Sequence, residues 1–276
     1  MPGRYELQGS GERQAVLAVV RQQQAEIARF LPEAVLARPD AVHRARVATR
    51  RLRSLLKTYA ELFDPGPLPA YRQNLGRLAR WLEGVRETDV LSTLLLTVAG
   101  EASLPQRAQQ RLRGALRATQ SGARAALRAR LQGPSWCRVV RALARVADAS
   151  LLVLRQGACD ELVLHQAGRT LIKCRKGLER RPRSVPEWHA LRLRIKRCRY
   201  ALEPVYCVRK GQGVREVMAC LALMQTLLGD HRDAVLALRW LQQQAPALGQ
   251  ATVRVLTERL HAREAQARTA LGLVPA

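Results

Sequence analysis

The sequence predicts an all-α fold of two similar helical bundles, and three observations support this prediction. Apolar residues recur at three- and four-residue spacing along most of the chain, which is typical of amphipathic helices. No stretch alternates apolar and polar residues over the length of a strand, and aromatic residues make up only 4% of the chain. A basic, histidine-containing segment at residues 42–59 recurs 146 residues later, at residues 188–205. We therefore expect an internal duplication that brings two basic helices to one surface.

Prolines, glycines and capping residues set the helix boundaries in the first half. After a loose leader at residues 1–10, we expect helices at residues 12–36, 40–63, 71–85, 88–96, 105–131 and 137–154. Asp40 is placed to cap the second of these helices, because an aspartate at the N-cap accepts a hydrogen bond from a free backbone N–H. The sequence LEGVRETD, at residues 82–89, predicts a turn before the fourth helix, with Thr88 or Asp89 as its cap.

The same pattern begins again after residues 156–157. We expect helices at residues 161–179, 214–228, 233–244 and 252–271, and one around His189 that follows a proline-rich break. Gly229 and Asp230 predict a turn between two of them. Leu82 and Arg86 recur as Leu228 and Arg232, again at an offset of 146 residues. These matches predict one domain at residues 11–276, made of two halves at about residues 11–155 and 156–271.

The repeated segment carries a basic stripe. Its pattern is H-x2-R-x3-[RK]-R-x-R, and the residues that match it are His43, Arg46, Arg50, Arg51 and Arg53 in the first copy and His189, Arg192, Lys196, Arg197 and Arg199 in the second. On an α-helix, positions 0, 3, 7 and 10 of the pattern fall within about 80° of one another, so they form one face. Lys57 extends this face in the first copy, and the opposite face is apolar.

This basic face lacks counter-charge of its own. No acidic residue lies between Val42 and Ala60, although like charges at i,i+4 spacing repel each other and surface helices usually interleave acids. One interpretation is a helix face that is simply solvated. The alternative is that a ligand supplies the negative charge, and arginine guanidinium groups suit bidentate binding of phosphate.

The composition favours a polyanionic partner. The net charge is +25, from 47 basic and 22 acidic residues, which is unusual for an enzyme that acts on small molecules. Arginine-rich codon usage would explain arginine in place of lysine, but it would not explain the shortage of acids. The histidines are surrounded by cations that disfavour a divalent ion, so we expect no metal site.

Further candidates lie outside the basic faces. Arg51 and Arg197 lie about 80° off the stripe, so they either contact ligand or pair with Glu87 and Asp233 as structural bridges. Arg86 and Arg232 lie beside these acids, so they either form a buried ion pair or contact the ligand. Lys173 and Lys176, on the helix before the second motif, have weaker support as ligand contacts.

The six cysteines include no C-x2-C pair, the N-terminus has no apolar signal core, and the longest uncharged apolar stretch, residues 90–100, is too short to cross a bilayer. We expect a cytoplasmic protein with reduced thiols and no membrane partner.

The two motifs resemble the CHAD family, the conserved histidine α-helical domain. The resemblance is carried by VHRARVATRRLR at residues 42–53, WHALRLRIKRCRYALE at residues 188–203, and the segments LEGVRETDVL and LLGDHRDAV. It implies two four-helix-type bundles with pseudo-symmetry, a shared basic groove or central pore, and binding of inorganic polyphosphate by the cations above. It implies no established catalysis and no cofactor, and it is compatible with a location at polyphosphate granules. Two departures are Glu83, where the family usually has glycine, and Glu87, where it usually has aspartate.

Two other functions were weighed. A general nucleic-acid-binding protein of the same fold is the main alternative, although the chain has only 11 aromatic residues for base stacking, and nucleic acid is expected to be the weaker competitor. An enzyme that processes polyphosphate would need carboxylates to hold Mg²⁺, and the basic stripes contain none. The sequence therefore predicts a non-enzymatic protein that binds polyphosphate.

Overall fold

The computed structural model describes residues 11–147 and 154–272, and within these ranges the regular structure is helical. An isolated antiparallel bridge joins Phe63 to Leu154. The all-α prediction is confirmed. The predicted leader at residues 1–10 lies outside the described residues.

The described ranges contain nine α-helices. In chain order they are α1 (Glu12–Val35), α2 (Pro39–Thr58), α3 (Leu68–Glu101), α4 (Gln106–Leu131), α5 (Pro134–Ala147), α6 (Asp160–Glu179), α7 (Val185–Val208), α8 (Gln212–Leu248) and α9 (Gln250–Ala270). A short 3₁₀ helix, Ala60–Leu62, follows α2. The helices expected near α1, α4, α6 and α9 therefore lie within one or two residues of their predicted bounds.

The two predicted turns are wrong. Helix α3 continues for 34 residues through Gly84, and α8 continues for 37 residues through Gly229. A helical glycine costs about 1 kcal/mol relative to alanine, which tertiary packing readily overrides. Asp89 caps no helix; its Oδ1 instead accepts a hydrogen bond from Gln120 Nε2 at 3.1 Å. Two other charged side chains of the first segment bind arginines of other helices: Glu83 pairs with Arg46 of α2, and Glu87 pairs with Arg232 of α8.

Helices α2 and α5 also differ from prediction at their ends. Helix α2 begins at Pro39 with Arg38 in the N-cap position, so Asp40 lies in the first turn, where it pairs with Arg44 at 3.0 Å. A carboxylate there stabilises the helix dipole without capping the backbone. The same helix ends at Thr58 rather than residue 63. Helix α5 begins at Pro134 and is described to Ala147, and Leu154 lies in the bridge rather than in a helix.

Two apolar cores hold the helices together. The larger core contains Leu52 and Leu55 of α2 and Ile195 of α7, all with no exposed surface. The second core, which contains Leu95 of α3 and Leu241 of α8, lies at the other end of these two long helices. Each core includes residues from both predicted halves. Because the apolar face of α2 is buried, its basic stripe is directed away from the core, towards α7.

Candidate functional site

Two adjacent cavities lie between α2 and α7. The outer cavity has a volume of about 530 Å³, and the inner cavity has a volume of about 160 Å³. Arg50 of α2 and Lys196 of α7 line both cavities, so these two side chains form the boundary between them. Helix α3 adds to the wall of both cavities, and α8 adds to the wall of the inner one. The packing of the two basic helices thus places two cationic cavities side by side, and together these cavities form the cleft.

The outer cavity is lined by cations without carboxylates. Its basic lining residues are Arg50, Arg53, Lys57, Arg72, Lys196 and Arg197. The charge of Arg197, followed by burial and the charge of Arg72, lowers the pKa of Lys57. Burial, followed by the charges of Arg80 and Arg72, lowers the pKa of Arg53. Both shifts have the direction expected for cations surrounded mainly by other cations, with Glu83 acting in the opposite direction on the pKa of Arg53.

The inner cavity contains carboxylates, but arginines already bind them. Arg232 donates to Glu87 and, at 3.3 Å, to Asp233. Arg192 is less well compensated, because its Nε is buried without a hydrogen-bond partner among the described residues. Burial, followed by the charge of Arg232, lowers the pKa of Arg192 to about 10, so it stays charged at neutral pH. The inner cavity therefore retains uncompensated positive charge.

Lys196 is the most buried cation of the cleft. Its relative exposure is 4%, and it makes no ion pair or hydrogen bond within the described residues. Burial, followed by the charges of Arg50 and Arg192, lowers the pKa of Lys196 to about 6. The sequence pattern identified Lys196 as a member of the stripe, but a lysine in a basic run gives no sign that it is buried.

The two histidines differ in their surroundings. His43 is partly buried and lines the inner cavity, whereas His189 is exposed and lines a third cavity of about 350 Å³ beside α8, which shares Arg192 and Arg232 with the inner cavity. Burial, followed by the charge of Arg86, lowers the pKa of His43. Burial, followed by the charge of Arg192, lowers the pKa of His189. Both histidines are therefore mainly neutral at pH 7 in the free protein.

The predicted bridges of Arg51 and Arg197 are wrong. Arg51 pairs with Glu203 of α7 at 3.3 Å, and Arg197 lines the outer cavity. Glu87 and Asp233, the acids proposed for these bridges, both bind Arg232. The reason is that α2 faces α7 directly, so the carboxylate nearest to Arg51 comes from α7 rather than from α3.

Four other predicted residues differ in whether they line the cleft. Arg86 lines the inner cavity, and Arg199 donates to Gln225 at 3.2 Å. Lys173 is exposed on α6, and its charge contributes to the lowered pKa of Lys57, which places it near the outer cavity. Lys176 is exposed and lines neither cavity.

Sequence reasoning missed two residues of the outer cavity. Arg72 enters it from α3, and its position has no basic counterpart 146 residues later, where Met218 stands. Tyr200 accepts a hydrogen bond from Arg50 Nε at 3.1 Å. Its position four residues after Lys196, on the same helix face, is the signal that could have identified Tyr200.

The part of the chain that the structure describes contains no group of three or more His, Cys, Asp or Glu residues arranged to hold a metal ion. None of its helices combines the length and apolar character needed to cross a membrane.

Comparison with known proteins agrees with this architecture. The CHAD domain from the plant Ricinus communis is 25% identical, with a TM-score of 0.73, and the match covers 100% of this chain and 99% of that one. PptA from Streptomyces chartreusis has a TM-score of 0.76 at 21% identity, over 95% and 98% of the two chains; this likeness concerns the fold alone.

Two uncharacterized proteins from two strains of Mycobacterium tuberculosis are 29% identical over 219 residues. These matches cover 75% of this chain and 41% of the longer relatives, so this chain spans about two fifths of their length. The pattern of the CHAD domain matches residues 18–242, which is most of the sequence, and this chain therefore belongs to the CHAD family.

Proposed function

We propose that this protein binds inorganic polyphosphate in the cleft between α2 and α7 and catalyses no reaction on it. The observation that carries the proposal is the outer cavity, whose described lining has six basic side chains and no carboxylate. An anionic ligand would supply the missing charge. Binding of polyphosphate is also what CHAD membership suggests, and such a protein would be expected in the cytoplasm, at polyphosphate granules.

The shape of the cleft favours a linear polyanion. The outer and inner cavities meet at Arg50 and Lys196, so a flexible chain of phosphates can contact cations in both. Arginine side chains bind the oxygens of successive phosphates in bidentate fashion. A ligand that reached only one cavity would leave the cations of the other uncompensated.

The surroundings of the cleft disfavour nucleic acid as the main ligand. Tyr200 is the one aromatic residue in the described lining of the two cavities, and single-stranded nucleic acids are usually bound by several aromatic side chains that stack on bases. A duplex is too wide to enter the inner cavity, whose volume is about 160 Å³. Nucleic acid is thus expected to bind by charge alone, as a weaker competitor.

The carboxylates of the inner cavity support a binding role rather than catalysis. Cleavage or transfer of phosphate groups commonly uses carboxylates that hold Mg²⁺ beside the phosphates. Glu87 and Asp233 both bind Arg232, and cations surround them. In this arrangement the carboxylates hold Arg232 in position against the ligand.

A competition experiment tests the proposal. Labelled long-chain polyphosphate should bind with a Kd well below micromolar, and unlabelled polyphosphate should displace bound duplex DNA at a much lower concentration of phosphate than DNA displaces polyphosphate. Both titrations are run at one salt concentration, because counterion release makes polyanion affinities strongly dependent on salt. Equal competition per phosphate would show that the cleft does not select polyphosphate.

A further inference from the structure

We propose that Lys196 is a specificity-determining residue of the cleft, uncharged in the ligand-free protein at neutral pH and protonated when a ligand of high negative charge occupies the cavities on both sides of it. This inference rests on the proposed polyphosphate binding and adds to it. It identifies binding as proton-coupled and names the residue that takes up the proton.

The position of Lys196 is the first argument. The side chain is 4% exposed and borders both cavities. The charged groups that line these cavities around it are Arg46, Arg50, Arg53 and Lys57 from α2, Arg72, Arg86 and Glu87 from α3, Arg192 and Arg197 from α7, and Arg232 and Asp233 from α8; the titratable His43 of α2 also lines the inner cavity. Nine of these eleven charged groups are cations.

The second argument is that neither carboxylate compensates Lys196. Arg232 binds both Glu87 and Asp233, and no carboxylate is among the largest influences on the pKa of Lys196. Burial and then the charges of Arg50, Arg192, Arg46 and Arg232 lower the pKa of Lys196 to about 6. The free protein at pH 7 or above therefore holds Lys196 mainly as a neutral amine.

The third argument comes from the comparison with α2. The position equivalent to Lys196, 146 residues earlier, is occupied by Arg50, and an arginine side chain does not lose its proton in proteins. A lysine at this position can carry a charge that depends on what surrounds it, because its pKa responds strongly to burial. The cleft thus combines permanently charged arginines with one conditional cation at its centre.

The consequence for specificity follows from charge balance. A small anion that contacts one cavity supplies too little negative charge to protonate Lys196, so it gains nothing from this residue. A polyphosphate chain that spans both cavities surrounds the amine with several negative charges and raises its pKa. Between the pKa values of the free and bound states, each binding event takes up about one proton, so affinity rises about tenfold for each unit that the pH falls.

Calorimetry at pH 8.5 tests whether Lys196 takes up a proton when polyphosphate binds. Heats of binding of long-chain polyphosphate in two buffers with different ionisation enthalpies give the number of protons taken up. We expect uptake near one proton for the wild-type protein and near zero for Lys196→Met, whose side chain has a similar shape and no charge. The double variant His43→Gln with His189→Gln is the matched control, and it should keep the uptake because it retains Lys196.

A second measurement observes the titration of Lys196 in the wild-type protein, and a variant is needed only to assign the signal. The chain has five lysines, Lys57, Lys173, Lys176, Lys196 and Lys210, so ¹³C-labelled lysine gives five resolvable Cε signals. One of them should titrate below pH 7.5 in the free protein and stay protonated above pH 9 with polyphosphate bound. The loss of that signal in Lys196→Met or Lys196→Arg assigns it.

Selectivity gives the third readout. Lys196→Met should weaken long-chain polyphosphate about tenfold at pH 7 and change the affinity for pyrophosphate less than twofold. The inference is overturned if polyphosphate binds at pH 8.5 without proton uptake, if Lys196 of the free protein titrates near pH 10, or if the variant weakens both ligands equally. Failure of the wild-type protein to bind polyphosphate at any pH would instead overturn the proposed function on which the inference rests.

Discussion

Helices α2 and α7 carry the same basic pattern, but the fold compensates their charges differently. In α2, Arg46 pairs with Glu83 at 2.7 Å. In α7, the equivalent Arg192 has a buried Nε without a partner among the described residues. The residue 146 positions after Glu83 is Gly229, so the acid that compensates α2 has no counterpart for α7.

This difference shows that an identical motif does not give an identical site. The α2 stripe has arginines at its three central positions, Arg46, Arg50 and Arg53, and an arginine side chain does not lose its proton in proteins. The α7 stripe includes Lys196, whose low pKa makes its charge depend on the ligand. We infer that α2 provides the constant attraction for a polyanion, whereas α7 makes the strength of binding depend on the charge density of the ligand and on pH.

The largest expected effect comes from reversing charge on either helix. Arg50→Glu with Arg53→Glu in α2, and Arg192→Glu with Arg197→Glu in α7, should each weaken polyphosphate binding by about 100-fold or more. Once one stripe holds the chain, the other binds it intramolecularly, so the loss of either one removes the gain in effective concentration. Calorimetry on both double variants measures the effect.

The control for these variants changes the net charge equally, away from the cleft. Arg107 and Arg117 are exposed on α4, and replacing both with glutamate should weaken binding less than about threefold, through long-range electrostatics alone. A loss as large as that of the cleft variants would mean that the total charge of the protein, rather than the two stripes, determines affinity.

The sequence predicted the helices and the faces that they bury because both depend on local spacing. The 3.6-residue period placed Leu52 and Leu55 in the core and His43 and Arg50 on the opposite face. The turns at residues 82–89 and 229–230 were wrong because glycine beside charged residues is a turn signal only when tertiary packing does not extend the helix. Local spacing contains no information about which helices pack against a given face.

The partners of the charged residues could not be predicted for the same reason. Arg51 pairs with Glu203 across two helices that are far apart in sequence, and no local pattern links them. The burial of Lys196 likewise results from the packing of α2 against α7. A sequence period assigns residues to a face, but the structure decides which residues of that face become buried.

Removing the acid beside the α2 stripe, or adding one beside the α7 stripe, should partly reverse the difference in charge compensation between the two stripes. Glu83→Gln frees Arg46, and we expect polyphosphate to bind about fivefold more tightly, since a partly exposed charge pair contributes about 1 kcal/mol. Gly229→Glu places an acid at the equivalent position in α8, where an added Cβ meets no atom within 4 Å, and should weaken binding by a similar factor. Fluorescence titration of both variants measures the change.

Gly229→Gln is the matched control for the second of these variants. It adds a side chain of the same size without charge, and we expect an affinity within twofold of the wild-type protein. If Glu83→Gln weakened binding, the role of Glu83 would be to position Arg46 for the ligand rather than to compete with the ligand for it.

The smallest expected effect concerns the histidines, whose surroundings also differ between the two helices. Burial and neighbouring arginines lower the pKa of His43 and His189 in the free protein, and a bound polyanion raises the pKa again. Each histidine therefore takes up a proton on binding, and affinity should rise by about threefold from this source as the pH falls from about 7.5 to 6. His43 lines the inner cavity and His189 does not, so His43→Gln should remove more of this rise than His189→Gln.

Binding measured across pH 6 to 9 separates the rise in affinity due to the histidines from that due to Lys196, because the histidine variants should keep the pH dependence above pH 8. A double variant with the wild-type profile below pH 7.5 would show that both histidines are structural, and that the arginines and lysines of the two stripes bind the ligand without them.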